Sequence, residues 1–332
     1  MRFHPYLNNA VTSNMAGFGN RGPVIAAVEE GGRQDRVAVG IALVLLSTLF
    51  TSLTDVIFKY ASAGGTIWQF FVLRSLLAIP VLLAIAFAWG DGAATWSRAL
   101  RLWPMLRALL FVLMLIATYA ALPFLPLATL AAGLYTSPLF VAALSALLTG
   151  ERVRWRGWLA IALGFAGVLL ILRPGSEAFT WLALLPVLGG LCYALSALVT
   201  RSKCRTTPPA TLAVALNIAL VVTGAAISAG LFIWAPAPAN VAVSPFLLGS
   251  WQALGLLEWG FVAMLATLMV GNSLVVSAAY QSAPPFIIAT FDYNYLIFMT
   301  AFGFVLFSEV PDGQTVIGML MIVGAGMMVV RR

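Results

Sequence analysis

The residues with the most chemical promise stand where charge is least expected. Asp292-Tyr293-Asn294-Tyr295 interrupts an otherwise apolar stretch, 283–307. A carboxyl group in such surroundings is costly unless it is paired, neutralised or used. Near the middle of a helix it could bind the amine of a ligand or carry a proton. It could equally be protonated or hydrogen-bonded within the bundle. Asp292 and Tyr295 are three apart and can share a helix face. Arg74 lies similarly deep in its own apolar run, where it could hold a ligand carboxylate, or brace Asp55 or a neighbouring helix. Asp55 and Lys59 are four apart, a spacing that suits an ion pair at a gate or at a solvated helix end. Glu151 and Glu309, with Arg107 and Glu258, fall near expected helix ends and are read as gate or structural positions.

Aromatic and amide side chains supply the rest of a candidate binding site. Tyr135 and Tyr193 fall near the middle of their runs. Tyr119, Tyr280, Trp68, Asn217, Asn272 and Ser273 could line the same cavity. Such a lining favours flat or aromatic ligands through stacking, with plain packing as the alternative for any single ring. Other chemistries are excluded. His4 is the only histidine and lies in a polar N-terminal stretch, so the core holds no histidine base or His-based metal site. Cys192 and Cys204 flank an expected helix end and are read as unpaired. Gly17-Phe18-Gly19-Asn20-Arg21-Gly22 has the G-x-G-x-x-G spacing, but no strand precedes it and no βαβ unit follows. No phosphate-cradling G-x-x-x-x-G-K-[ST] run occurs. Neither cofactor nor metal is expected.

The elements that position these residues follow from composition. Of 332 residues, 62% are hydrophobic and only 9% charged, against about 25% charged in an average soluble protein. With 11 acids and 18 bases the chain cannot clothe a soluble globule of its size. The expected class is all-α and integral to a membrane, its main partner a lipid bilayer. A spanning helix takes about 20 apolar residues. Ten runs qualify: 37–58, 66–89, 102–122, 124–148, 155–172, 179–200, 210–234, 255–280, 283–307 and 313–330. Turn signals such as Trp89-Gly90-Asp91-Gly92, Pro208-Pro209 and Pro284-Pro285 separate them. Residues 1–36 are polar and read as a disordered cytoplasmic tail.

Charge placement orients the bundle. With the N-terminus inside, the inner segments carry Arg2, Arg21, Arg33 and Arg36, then Arg98 and Arg101, then Arg152, Arg154 and Arg156. Arg201, Lys203 and Arg205 follow, and Arg331 and Arg332 close the chain. The outer segments hold only Lys59 and Arg173. This is the positive-inside pattern, so both termini are expected in the cytoplasm. The net charge of +7 needs no nucleic acid to explain it. Trp89, Trp103, Trp155, Trp158, Trp181 and Trp234 sit at span ends, as interfacial tryptophans do.

The chain also repeats itself. Aligning Pro126 with Pro284 brings Tyr135 onto Tyr293, Phe140 onto Phe298 and Glu151 onto Glu309. Each glutamate ends a helix and precedes one last apolar span. With five spans per half, an odd number, the second half must lie upside down relative to the first. Inverted repeats of this kind build secondary transporters, with the substrate site near the midplane between the halves.

Several segments resemble a known family. Leu125-Pro126-Leu127-Ala128-Thr129, Pro138-Leu139-Phe140, Gly150-Glu151-Arg152, Gly164-Phe165-Ala166-Gly167-Val168 and Arg173-Pro174-Gly175 are similar to the end of an EamA domain, of the drug/metabolite transporter superfamily. Phe71-Val72-Leu73-Arg74-Ser75 resembles that family's second helix. The second copy departs at Val310-Pro311-Asp312 and at Gly324-Ala325-Gly326. The resemblance implies a first repeat over 37–174, a second over 179–330, ten helices, a central cavity and alternating access. It implies a bacterial inner-membrane carrier of small molecules rather than an enzyme. Export of amino acids, aromatic ones included, is the leading expectation. Uptake of a vitamin or nucleoside-like metabolite, of the riboflavin or S-adenosylmethionine type, is the alternative. Monomer and homodimer both remain open. A membrane transferase would need clustered acids for a metal and a phosphate, which the core runs lack; a passive channel is the other rival.

Overall fold

Apolar runs of this length, with few charges, can satisfy their backbone in lipid only as helices. The computed structural model describes residues 23–88, 90, 92–149, 155–174, 179–282 and 285–330, and among them there are helices and no strand. The first half comprises α1 (Pro23–Ala61), α2 (Ile67–Ala88), α3 (Gly92–Ala99), α4 (Leu102–Ala121), α5 (Leu127–Leu134), α6 (Ser137–Thr149) and α7 (Trp155–Leu172). A 3-10 turn at Trp181–Ala183 leads into α8 (Leu184–Lys203) and α9 (Pro209–Trp234). Then come α10 (Pro238–Val243), α11 (Pro245–Leu248), α12 (Leu256–Ser282), α13 (Pro285–Asp292), α14 (Asn294–Phe307) and α15 (Gly313–Val330).

Among the described residues, 8 helical stretches are long and apolar enough to cross a membrane. Two shorter apolar helices, Gly157–Leu172 and Gly313–Met328, stand where the fifth and tenth spans are expected. α1 starts at Pro23, a first helical position where the missing N–H costs nothing. Residues 23–36, expected to belong to a disordered tail, are therefore the first part of α1; residues 1–22 lie outside the described residues. Glu151 also lies outside them.

Two expected single spans are each broken in two. Between α5 and α6, Tyr135 leaves the helical basin at φ −76, ψ 8. Pro138, in the first turn of α6, cannot donate to the carbonyl of Leu134, and its ring crowds that carbonyl. Between α13 and α14 no proline is present. There the Asn294 amide donates to the carbonyl of Phe291 at 2.8 Å, a side chain competing with the helix ladder.

The helices pair in a pattern that survives exchange of the two halves. α7 packs on α15, and α2 on α9. α4 packs on α8, and its counterpart α12 on the counterpart α1. Small residues permit the tightest crossing. A Cβ at Gly167 would stand 2.7 Å from the carbonyl oxygen of Gly318, the close approach that small residues allow between membrane helices. Phe58, Phe70, Phe71, Leu122, Leu127, Leu130, Leu220 and Tyr295 are fully buried at the centre. Phe232 and Leu256, by contrast, are 88% and 93% exposed, as lipid-facing side chains should be. The segment carrying α10 and α11 straps the start of α2. Trp68 Nε1 donates to Leu247 O at 2.7 Å, and Gln69 exchanges hydrogen bonds with the backbone of Gln252 at 2.8 and 3.1 Å.

Candidate functional site

Both halves contribute to one cavity of about 760 Å³. α1 offers a polar stripe at Ser47, Thr51 and Asp55, spaced four apart so that they share a face. The Ser47 hydroxyl donates to Asn272 Oδ1 of α12 at 2.7 Å, tying the stripe to the other half. The Asp55 carboxylate accepts from Tyr119 of α4 at 2.8 Å and from Tyr295 of α14 at 2.5 Å, one hydroxyl per oxygen. Arg74 of α2 lines the cavity and is only 3% exposed. Its guanidinium lies 5.2 Å from the Phe58 ring centre and 5.3 Å from that of Phe71, within cation–π range.

The second polar centre forms at the breaks. The Tyr135 hydroxyl lies 2.9 Å from the backbone oxygen of Asp292 and 3.1 Å from its Oδ2. The break in α13–α14 frees carbonyls from their helix partners, and Tyr135 from the other half reaches across to one of them. The Tyr135 ring stacks on Tyr295 at 5.0 Å and 13° and tilts against Tyr293 at 5.5 Å. The two carboxylates are thus joined through a pair of stacked tyrosines.

The cavity is lopsided along the bundle. Its lining reaches Arg107 near the start of α4, Arg201 near the end of α8 and Pro209 at the start of α9. At the opposite end Lys59 of α1 forms an ion pair with Glu309 and donates to Leu125 O at 2.9 Å. The other Glu309 oxygen accepts from the backbone N–H of Leu127 at 2.7 Å, capping α5 with a carboxylate from the other half. Beyond it Arg173 pairs with Asp312, outside the spans, and holds that carboxyl down to about 2, with help from Thr315. Both ion pairs join the two halves. A smaller chamber of about 280 Å³ lies among Glu309, Asp312, Arg173 and Thr129.

Most of the residues singled out from sequence meet here. Asp292, Tyr293, Tyr295, Tyr135, Tyr193, Arg74, Tyr119 and Asn272 all line the large cavity, as does Ser273. Asn294 does not; its amide donates to the Phe291 carbonyl. Trp68 and Asn217 are buried elsewhere, and nothing is described of the Tyr280 side chain. Two pairings are corrected. Asp55 belongs to the cavity rather than to a gate pair with Lys59, because two tyrosine hydroxyls take its oxygens while Lys59 turns to Glu309. Asp292 and Tyr295 do not act as neighbours on one helix face, because the break separates them and each bonds a different partner. Ser47, Thr51 and Thr118 are lining residues that the sequence reading missed. The four-residue spacing of Ser47, Thr51 and Asp55 was the available signal.

Comparison with known proteins gives consistent relatives. Residues 38–173 match the EamA-like transporter family. A riboflavin transporter of Rhizobium johnstonii is 29% identical over 89% of this chain and 89% of its own length. An S-adenosylmethionine uptake transporter of Rickettsia bellii is 24% identical over 88% of this chain and 94% of its own. A pseudopaline exporter of Pseudomonas aeruginosa is 26% identical over 88% of this chain and 95% of its own. A solved crystal structure, 19% identical, shares the fold with a TM-score of 0.58 over 90% of this chain and 99% of that one.

Proposed function

We propose that this chain, whose residues 38–173 match the EamA-like transporter family, is a member of that family within the drug/metabolite transporter superfamily and carries a small molecule across the bacterial inner membrane. It works as a secondary transporter by alternating access. Ten spans form two inverted halves, 37–174 and 179–330, and the substrate sits between them. The exchange-symmetric pairing of helices, with matching breaks at the aligned Tyr135 and Tyr293, supports that arrangement. The observation that carries the reading is the cavity itself, lined by both halves and holding two carboxylates and an arginine at span depth. Such groups are costly there unless they are used.

Positive-inside orientation puts the end bearing Arg107 and Arg201 in the cytoplasm, along with both termini. The structure is then inward-facing, its outer end held by Lys59–Glu309 and Arg173–Asp312. Substrate enters from the cytoplasm, and export follows when rocking breaks those pairs. Asp292 takes a substrate amine, and Tyr135, Tyr193 and Tyr295 face its flat part. These groups suit an amino acid, aromatic ones above all. A second reading, uptake of a flat vitamin, draws on the riboflavin-transporting relative and on the tyrosine stack. Counterflow in proteoliposomes decides between them. Saturable, trans-stimulated flux of aromatic amino acids supports the first reading, and riboflavin flux alone supports the second. Unsaturable flux of everything tested would remove the carrier.

A further inference from the structure

We propose that Arg74 is an anion-binding subsite at the deep end of the cavity, so that the transported molecule must bear a carboxylate as well as its amine. This rests on the carrier reading above and narrows its substrate class. A buried guanidinium ordinarily has its donors met. Arg74 is 3% exposed, yet it has no hydrogen-bond partner among the described residues, and its Nε is buried and unmet. The obvious partner is Asp55, which lines the same cavity. Both Asp55 oxygens, however, are taken by the hydroxyls of Tyr119 and Tyr295. A carboxylate can accept further hydrogen bonds, yet among the described residues none runs from Arg74 to Asp55. The directional donors of the guanidinium are left unspent.

The rest of the pocket favours the same ligand. Phe58 and Phe71 lie side by side within cation–π range of the guanidinium, contacts that need none of its N–H groups. A carboxylate matches the planar fork that remains and can take two parallel bonds from it. Arg107 and Arg201 line the route from the end that substrate enters, a run of positive charge that draws anions inward. At the other polar centre Asp292 has one oxygen bonded to Tyr135 and faces the cavity as an acceptor for an ammonium group. A zwitterion with its flat part between the two centres satisfies both.

The test uses purified full-length protein and three matched probes. Phenylalanine carries both charges, 3-phenylpropionate the carboxylate alone, and phenethylamine the amine alone. Affinities come from thermal-shift titration. We expect wild type to bind phenylalanine and 3-phenylpropionate, and Arg74→Gln to weaken both about tenfold or more while sparing phenethylamine. Arg74→Lys, which keeps the charge and loses the fork, should fall between. It also serves if the glutamine variant does not fold. Equal wild-type affinity for phenylalanine and phenethylamine, or anion affinity indifferent to both substitutions, overturns the proposal. So does failure of both carboxylate probes to bind wild type. Proteoliposome counterflow with the same variants separates the two readings. Flux that ignores Arg74 sinks the anion subsite and leaves the carrier, whereas absence of any carrier flux removes both.

Discussion

In the first half the chain breaks at Tyr135-Thr136, and the break is closed locally. The Thr136 hydroxyl returns to Gly133 O at 2.6 Å, and the Tyr135 hydroxyl is free to leave for the other half. In the second half the chain breaks at Tyr293 between an acid and an amide. The Asn294 amide goes to Phe291 O, Asp292 faces the cavity, and the Tyr293 hydroxyl is buried without a partner among the described residues. The two tyrosines occupy aligned positions and have opposite fates. One supports the other half's backbone and carboxylate; the other fills space, its ring packed into the notch at Gly326. The same interruption thus became a prop in one half and a binding centre in the other. A duplicated fold can share its geometry and divide its chemistry.

The largest effect expected from this division belongs to Asp292. Asp292→Asn removes the charge and keeps the shape, and hydrogen bonds to charged groups are worth roughly 1.5–3 kcal/mol. Transport in proteoliposomes should fall by about one to two orders of magnitude, with an unchanged elution profile in detergent. Normal flux would take Asp292 out of the site and erase the contrast between the halves.

Next comes the notch. A Cβ at position 326 would overlap the Tyr293 hydroxyl, and overpacking a filled core costs roughly 1–3 kcal/mol. Gly326→Ala should lower the melting temperature clearly, and adding Tyr293→Phe should recover only a small part of the loss, because the ring carbon Cζ would still overlap the added Cβ and Cε2 would stand 2.8 Å from it. Tyr293→Phe alone deletes a hydroxyl with no partner among the described residues and should leave stability unchanged or slightly raised. A large loss from that single substitution would mean the Tyr293 hydroxyl has a partner after all.

Tyr135→Phe tests the opposite fate. It strips one hydroxyl from Asp292 O and Oδ2 together, leaving a buried carbonyl unmet at about 1–3 kcal/mol. Transport should drop about tenfold, short of the loss in Asp292→Asn. If Tyr135→Phe and Tyr293→Phe behave alike, the two breaks are equivalent and the proposed division fails.

Much of this was legible in the sequence because lipid makes polar residues conspicuous. Asp292, Arg74 and Tyr135 stood out simply by being polar or amphipathic in apolar runs, and the repeat aligned Tyr135 with Tyr293. The breaks were not legible. Pro138 was in view, but a proline in a membrane helix signals a kink as readily as a stop. The second break has no proline at all, only an asparagine whose side chain competes with the backbone. Asp55 was misread because spacing of four offers it Lys59, whereas partners distant in sequence decide the outcome. Tyr119 and Tyr295 reach it from α4 and α14, and Glu309 claims Lys59 from across the molecule. Nor does hydropathy reveal the short helices α10 and α11; Leu247 of α11 and Gln252 beyond it hold the start of α2 through their backbone carbonyls.

The smallest effect lies outside the spans, where the halves also meet. Arg173 and Asp312 join the end of α7 to the start of α15, and Asp312 further accepts from the N–H of Thr315 at 2.9 Å. Asp312 is 51% exposed, so water screens the pair and its contribution is about 0.5 kcal/mol or less. The sign of its pH dependence is nonetheless fixed. The carboxyl is held near 2 in the folded chain, against about 3.9 when unfolded. Its stabilisation is therefore complete above about pH 4 and is lost as pH falls toward 2. Asp312→Asn should lower the melting temperature by a small amount that is constant from pH 7 to about pH 5 and shrinks as pH approaches 3. In transport it should do less than Glu309→Gln, whose carboxylate both pairs with Lys59 and caps α5. A difference that grows on acidification would show that Asp312 is not held as an anion by Arg173. An equal transport defect in the two variants would mean that the outer end closes as one latch rather than as a buried pair with a solvated one beyond it.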